Sequence, residues 1–372
     1  MSDNQSGSAL AERGLQGADQ SVASFDEGDV GIVRRMQGFL HRFPTMVPFI
    51  VLLAGVLIFS FAAPGKFFAP FNFSLVLQQV TIIAILGVAQ TLVILTAGID
   101  LSVGMIMILA SVVMGRTAVV YGVPVEIAFP LGLAVGTACG LLNGLIVTLL
   151  RLPPFIVTLG TWSIFGALNV WYSRSETIRQ QDMDANAPFL QVTGTVMKPY
   201  SFFSQTFGLD LPFLKGWVLT YGSVVMIIVA LVIWYILNKT AFGRHVYATG
   251  DDPDSARLAG INTTKTLIGV YTLAGFICAI AAWVLIGRIG GVSPQAGQTA
   301  NLDSITAVVI GGTSLFGGRG SIIGTLIGAL IVGVFRNGLA LSGLELLWQD
   351  FAVGVLIIVA VTIDQWIRKL ST

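Results

Sequence analysis

The stretch GDDPDSARLAGIN, residues 250–262, lies between two long apolar segments and carries both ends of a short helix. Asp252 can accept hydrogen bonds from the first free backbone N–H groups, and Pro253 suits the first helical position, where no donor is needed. Gly260 supplies a left-handed exit from the helix. The sequence therefore predicts a doubly capped helix of about two turns, or roughly 10 Å.

The middle of this predicted helix combines small and charged side chains. Ala256 and Ala259 leave little bulk, and Arg257 offers a charge-assisted hydrogen-bond fork. Such a helix could fit a groove of another protein, or it could be an ordinary capped helix in a solvated loop. Both interpretations stay open from these residues alone. The residues singled out for contact with another protein are Gly250, Asp252, Pro253, Ala256, Arg257, Ala259 and Gly260.

The composition is that of a membrane protein. The 372 residues are 55% hydrophobic and only 10% charged, with a mean hydropathy of +0.84. The net charge of +1 is uninformative about nucleic acid, and no Lys/Arg cluster indicates a nucleic-acid-binding surface. Cys139 and Cys278 are single cysteines in apolar surroundings, and His41 and His245 have no partner at ligand spacing, so the sequence predicts neither a disulfide nor a metal site.

Apolar stretches near the roughly 20 residues that a bilayer requires predict an all-α polytopic membrane protein with about ten transmembrane helices. The eighth stretch is short and rich in glycine, so it is predicted as a half-helix or a re-entrant segment, and the span number is nine or ten. The stretches fall at about 46–63, 75–97, 102–121, 126–149, 155–173, 216–237, 266–287, 302–316, 321–341 and 349–367.

The N-terminal 45 residues are predicted as a mostly disordered cytoplasmic tail. Residues 1–33 are polar and carry six acidic side chains against one arginine, too little apolar surface to form a core. Arg34, Arg35 and Arg42 then precede the first span, as the positive-inside rule requires of a cytoplasmic N-terminus. Residues 46–372 form the predicted membrane domain.

An even number of spans returns the C-terminus to the cytoplasm. The same alternation places residues 174–215 outside, as a periplasmic loop, and residues 238–265 inside, as a cytoplasmic loop. The capped helix is therefore predicted to face the cytoplasm.

Two glycine-rich breaks interrupt the apolar pattern. In VILTAGIDLSVG, residues 93–104, Asp100 lies beside Ser102 in apolar surroundings, so Asp100 either caps the following helix or lines a wet pathway; we favour the cap. AVVIGGTSLFGGRGSIIG, residues 307–324, occupies a comparable place in the second half. Broken helices at matching places in two halves are typical of transporters, because exposed backbone at membrane depth must be buried in protein or face water.

Two runs of glycine recur every fourth residue and give smooth helix faces that another backbone can approach closely. We expect these faces to pack within one subunit, with a dimer interface as the alternative. The first run is Gly132, Gly136, Gly140 and Gly144, and the second is Gly320, Gly324 and Gly328.

Four strings, in this order along the chain, resemble the permease family of monosaccharide ABC importers, which serves ribose, xylose, arabinose, galactose and fructose. The resemblance runs from about residue 45 to the C-terminus. The strings are GIDLSVG at 98–104, LLRLPPFIVTLGTWS at 149–163, GRHVYATGDDPDSARLAGIN at 243–262 and AVVIGGTSLFGGRGSIIGTLIGALIVG at 307–333.

The resemblance implies a type II ABC importer-like fold in the bacterial inner membrane, in contact with membrane lipid and without a cofactor. It also implies three kinds of partner: ABC ATPase subunits, a periplasmic sugar-binding protein and a second permease subunit, expected to be a second copy of this chain. Residues 250–262 would be the coupling helix that docks on the ATPase. The acidic pair Asp251 and Asp252 departs from the Gly-x-Asn start that is usual in the family.

The sequence contains no GxxxxGK[ST] loop, so the chain is not expected to hydrolyse ATP and must receive its conformational drive from a partner.

The alternative is a secondary transporter driven by an ion gradient, which normally needs carboxylates within its spans. Arg336 is the one clear mid-span charge, which argues against ion coupling. An intramembrane enzyme is a third class, but HExxH and GxSxG are both absent. The carboxylates at or near predicted span ends are Asp100, Glu126, Asp303, Glu345, Asp350 and Asp364.

A path for a neutral sugar needs amides, hydroxyls and aromatic faces more than strong charge. Each candidate side chain could instead form a hydrogen bond to a neighbouring helix, and for any single candidate we prefer this structural interpretation. Trp162 and Trp171 are equally suited to anchoring at the membrane interface. The candidates are Gln78, Gln90, Asp100, Ser102, Asn143, Thr158, Thr161, Asn169 and Asn337.

Overall fold

Residues 46–369 are the part of the chain that the computed structural model describes. The predictions for the tail at 1–45 lie outside these residues. We number the elements in chain order as α1 Met46–Ala62, α2 Pro70–Leu95, α3 Val103–Val119, α4 Val125–Leu149, α5 Pro154–Ser173, α6 Gln180–Asn186, α7 Pro188–Gln191, β1 Val196–Met197, α8 Pro199–Phe207, β2 Leu219–Thr220, α9 Tyr221–Lys239, α10 Ala241–Asp251, α11 Pro253–Leu258, α12 Thr263–Ile289, α13 Ala300–Ile310, α14 Ile322–Leu341 and α15 Leu346–Lys369.

Each of the ten predicted apolar stretches forms a helix. Within residues 46–369, six helices are long and apolar enough to cross a membrane, namely α2, α4, α5, α9, α12 and α14, and α1, α3 and α13 are shorter apolar helices. The all-α polytopic architecture is confirmed.

The predicted eighth span is cut short, because α13 ends at Ile310 and not near residue 316. Gly312, Gly317 and Gly318 have φ of +85°, +85° and +70°, a left-handed backbone that stops a helix. With eleven residues, α13 reaches about half of the roughly 30 Å hydrocarbon thickness, as predicted for a half-helix.

Helix α2 lies at the centre of the bundle. It packs against α9, α12, α13 and α14, and the side chains of Ile85 and Leu86 are fully buried. The peripheral helices instead expose large apolar side chains, such as Phe61 on α1 at 83% and Trp171 on α5 at 75%. An apolar outer surface of this kind suits contact with lipid.

The first glycine run packs within the chain, as expected. On α4, a Cβ atom at Gly140 would meet the carbonyl of Tyr271 and the backbone of Gly275 on α12, so the two helices cross in backbone contact. In the second run, Gly324 and Gly328 pack against Gly311 and α13 in the same way. Gly320 differs, since it precedes α14 and belongs to the break.

The predicted loop at 174–215 contains short helices, two 3₁₀ turns and a two-stranded ribbon in which Val196 pairs with Thr220. It is held at the end of the bundle where α2 begins, because the Val218 N–H donates to Ser74 Oγ at 2.8 Å. Helices α10 and α11 lie at the opposite end, next to the last residue of α2. The chain therefore has a "ribbon end", residues 174–220, and a "helix end", residues 241–258.

Candidate functional site

Helix α11 has the two caps that the sequence predicts. Asp252 Oδ1 accepts from the N–H groups of Asp254 at 2.9 Å and Ser255 at 3.2 Å, and the Ser255 hydroxyl donates to Asp252 Oδ2 at 2.5 Å. These hydrogen bonds, that of the Ser255 hydroxyl first, lower the pKa of the Asp252 carboxyl. Gly260 has φ of +84°, and the Ile261 N–H returns to the Ala256 carbonyl at 3.0 Å. The capped helix is confirmed.

Asp252 and Pro253 start α11 as predicted, but the prediction that Gly250 belongs to the same element is wrong. Gly250 is the second-last residue of α10, a separate helix that the reading at 238–265 took for loop. The missed signal is the Thr240 side chain, which accepts from the Gly243 N–H and caps α10. Asp252 both ends α10 and begins α11, so the two helices share one residue as a corner.

Gly250 is buried and cannot be a contact for a partner. A Cβ atom at this position would meet the carbonyl oxygen of Leu95, the last residue of α2, and the N–H of Gly318. Its role is therefore to let α10 approach the bundle closely.

The two faces of α11 differ sharply. Ala256 is 4% exposed and faces the chain itself, so its predicted contact with a partner is replaced by an internal one. Leu258, for which the sequence predicted no role, is 91% exposed. Arg257 is exposed, with Nε donating to Thr263 Oγ1 at 3.0 Å and Nη1 to Asp254 at 3.3 Å. A lone surface leucine carries no signal in a sequence, because single exposed apolar residues are common.

Helix α10 packs against the last residue of α2 and against the second break, residues 311–321. The Gly318 N–H donates to the Leu95 carbonyl at 3.0 Å, and Gly250 lies against both groups. The Tyr247 hydroxyl donates to the Gly320 carbonyl at 2.9 Å. The first break, residues 96–102, meets the second where Gly317 lies against both Ala97 and Gly250. Helix α10 therefore packs where the two breaks meet, with backbone against backbone at Gly250 and no room for a side chain there.

The first break is held by buried polar groups. Asp100 is 1% exposed, and its Oδ1 accepts from the Ser102 N–H at 2.7 Å and the Ser102 hydroxyl at 2.6 Å. Because α3 begins at Val103, its N-cap position is Ser102, and Asp100 lies two positions earlier and binds the N–H of Ser102 instead of a helical N–H. Asp100 thus makes a hydrogen bond of the capping type, as we expected, but to the residue before the helix and not to the helix itself.

Neighbouring helices hold the same break from two sides. Asn143 on α4 donates to Ser102 Oγ at 2.8 Å. Thr158 on α5 donates to the Ile99 carbonyl at 3.0 Å and accepts from the Leu101 N–H at 3.2 Å. Four path candidates, Asp100, Ser102, Asn143 and Thr158, thus meet at one place, where each satisfies polar groups of the fold.

The other path candidates lie apart from this cluster. Gln90 is buried, and within the described residues neither of its amide atoms has a hydrogen-bond partner. Asn337 exchanges two hydrogen bonds of 3.0 Å with Asn72. Asn169 donates to the Pro294 carbonyl at 2.9 Å, and Thr161 to the Thr158 carbonyl at 3.3 Å. Gln78 lines a cavity of about 60 Å³, and Trp162 and Trp171 are exposed on α5.

Removing the cap is expected to loosen α11 without unfolding the bundle. In Asp252→Ala the N–H groups of Asp254 and Ser255 lose their acceptor, whereas Asp252→Asn keeps a side-chain oxygen. Hydrogen–deuterium exchange of residues 253–258 should quicken at least severalfold in the alanine variant and much less in the asparagine variant. Equal exchange in all three proteins would contradict the capping role.

The same cap has a definite pH dependence. Because the pKa of Asp252 is lower in the folded chain than the roughly 3.9 of an unfolded one, the ionised carboxylate stabilises α11 at neutral pH. This contribution is lost only as the pH falls below about 4 and through the folded-state pKa. Exchange of residues 253–258 should therefore not change between pH 6 and pH 8 once intrinsic rates are corrected.

Comparison with known proteins gives a consistent result. A family model described as branched-chain amino acid transport system / permease component matches residues 72–361. The chain is 54% identical over 360 residues to the fructose import permease protein of Rhizobium meliloti, covering 97% of this chain and 96% of that protein. It is 37% identical to the ribose import permease protein of Bacillus subtilis (strain 168), covering 86% and 92%. The galactose/methyl galactoside import permease protein of Haemophilus influenzae is 33% identical, covering 85% and 91%. No solved structure matches the chain.

Proposed function

Because the chain belongs to the family of branched-chain amino acid transport system permease components, we propose that it is the transmembrane subunit of an ATP-driven importer of monosaccharides. Although the family description names amino acids, the similar proteins are named for fructose, ribose and galactose. The similarity to the fructose permease extends over almost the whole of both chains. Fructose is therefore the first substrate to test, followed by ribose.

The observation that carries the mechanism is that α10 packs where the two breaks meet and that α11 follows it directly in the chain. An ATPase that gripped α11 through Leu258 and the charged pair Arg257 and Asp254 would move α10, which is in backbone contact with the end of α2. ATP binding then favours one state of the bundle over the other. The size of this shift equals the difference between the free energies with which the ATPase binds the two states. The ATP-hydrolysing site itself belongs to the partner.

The proposal also includes an orientation in the membrane and two further partners. The helix end faces the cytoplasm, as do both termini, and the ribbon end faces the periplasm of a bacterial inner membrane. A sugar-binding protein docks at the ribbon end, and a second copy of this chain completes the path among membrane lipid. The positive-inside pattern and the resemblance support this orientation.

An ion-driven mechanism is disfavoured by the pairing of the mid-span charge. Arg336 on α14 bonds Asp303 on α13 at 2.7 Å and Asp350 on α15 at 3.0 Å. Carboxylates that are already bound to arginine are poor carriers of a proton or a sodium ion, since releasing them would leave the arginine unpaired at membrane depth.

The test is uptake by the reconstituted complex of this chain, its ATPase and its binding protein. We expect uptake of radiolabelled fructose to require ATP inside the compartment that faces the ATPase. A protonophore should leave the initial rate unchanged while ATP is held constant. Uptake that needs an ion gradient and continues without ATP would overturn the proposal.

A further inference from the structure

A cavity of about 340 Å³ lies between α2, α12, α13, α14 and α15, apart from the polar cluster at the first break. Gln79 lies in the first half of α2 and Arg288 is the second-last residue of α12, so the cavity is on the side of the ribbon end. Its volume falls within the roughly 300–1,000 Å³ of small-ligand pockets, at their lower limit.

Arg288 lies between this cavity and the ribbon end. A smaller cavity of about 60 Å³ is lined by Thr193 and Thr220 of the ribbon end and by the same Arg288. Arg288 is therefore a wall of both cavities.

The walls of the larger cavity carry charges of both signs. Arg288 and Arg336 supply two positive charges and Asp303 supplies a negative one, and these are the charged side chains among the described residues that line the cavity. Arg336 is bound to Asp303 and, behind the wall, to Asp350. A charged ligand would face both signs at close range, whereas a neutral ligand with many hydroxyls can donate to carboxylates and accept from guanidinium groups.

The guanidinium group of Arg288 has N–H donors that a ligand can use. Within the described residues it makes a long hydrogen bond, from Nη1 to the Gln79 carbonyl at 3.4 Å, so most of its N–H groups are available to a ligand. The Gln79 side chain also lines the cavity and adds an amide. Leu285, Ile82 and Ala340 provide apolar wall for the C–H face of a sugar ring.

We propose that this cavity is a monosaccharide-binding subsite inside a single permease chain, with Arg288 and Gln79 as ligands of the sugar hydroxyls. The proposal rests on the proposed import function. It places a resting point for the sugar between the ribbon end and the breaks, flanked by the ion pairs that tie α13, α14 and α15 together.

The first test compares uptake of D-fructose by the reconstituted complex. Arg288→Gln and Gln79→Leu should each lower the initial rate about tenfold, since each removes hydrogen bonds that a neutral sugar needs. Ala340→Phe should do the same by filling the cavity. Val359→Phe, at an exposed position of α15 away from the cavity, is the matched control and should transport like the unsubstituted complex. Co-purification of the ATPase establishes that each variant assembles.

A second measurement reads occupancy directly. Ala340→Cys places a thiol at the cavity, and the native Cys139 and Cys278 are both buried, so the unsubstituted chain gives the labelling background. Saturating D-fructose should slow reaction of the new thiol with a maleimide in the assembled complex. An unchanged labelling rate would contradict a sugar subsite there.

The outcomes separate the two proposals. If the unsubstituted complex imports neither fructose nor ribose with ATP, the proposed function fails. If it imports fructose, and Arg288→Gln and Ala340→Phe match Val359→Phe, only the subsite is refuted.

Discussion

Replacing Leu258 by aspartate is expected to abolish sugar uptake while the permease itself stays folded. Leu258 projects from α11 with 91% of its surface exposed, so the substitution disturbs little within the chain. In the complex an apolar anchor buried at the centre of an interface is worth about 2–4 kcal/mol, which corresponds to roughly a 30- to 1,000-fold weaker contact. An aspartate there would also carry a charge into the partner's groove.

The measurements are fructose uptake and the ATPase rate that the loaded binding protein stimulates. Leu258→Met is the matched control, since it keeps an apolar side chain of similar volume at the same exposed position. We expect the control to keep both activities and Leu258→Asp to lose both. Full uptake by a Leu258→Asp complex would refute the coupling role of α11.

Replacing Gly250 by valine is expected to break the contact between α10 and the breaks. A side chain at this position meets the carbonyl of Leu95 and the backbone of Gly318, neither of which can rotate away as a side chain could. Overpacking of this kind costs about 3 kcal/mol, the upper end of the usual range. The variant should unfold at a lower temperature in detergent and should not transport, even with Leu258 intact.

Gly160→Val is the matched control, because a Cβ atom at Gly160 on α5 meets no atom within 4 Å. Valine is tolerated in a helix at least as well as glycine, so this variant should keep its Tm and its uptake. If Gly250→Val behaves like Gly160→Val, the close seating of α10 is not needed for transport.

Local chemistry allowed part of this protein to be predicted from its sequence. The ten apolar helices follow from run length, and the ends of α11 follow from Asp252, Pro253 and Gly260, whose effects act over one turn. The half-helix α13 could be foreseen in the same way, because the cluster of glycines that follows it favours a left-handed backbone, which ends a helix.

The candidate site was only half predictable, because helix rotation and long-range contact are not local properties. The caps of α11 do not show which of its faces turns inward, so the burial of Ala256 and the exposure of Leu258 had to come from the structure. Helix α10 had a local signal in its Thr240 cap, but its close approach to α2 at Gly250 depends on a residue far away in the chain.

What the sequence by itself determined is the class of molecule, the number of its apolar helices, the two breaks and the capped helix, since each depends on residues within a few positions of one another. Only the tertiary structure decided that α10 packs against the end of α2 and the second break and that Arg336 is neutralised by Asp303 and Asp350. The reason is that burial and ion pairing join groups that are far apart in the chain, and the packing of the helices decides which groups meet.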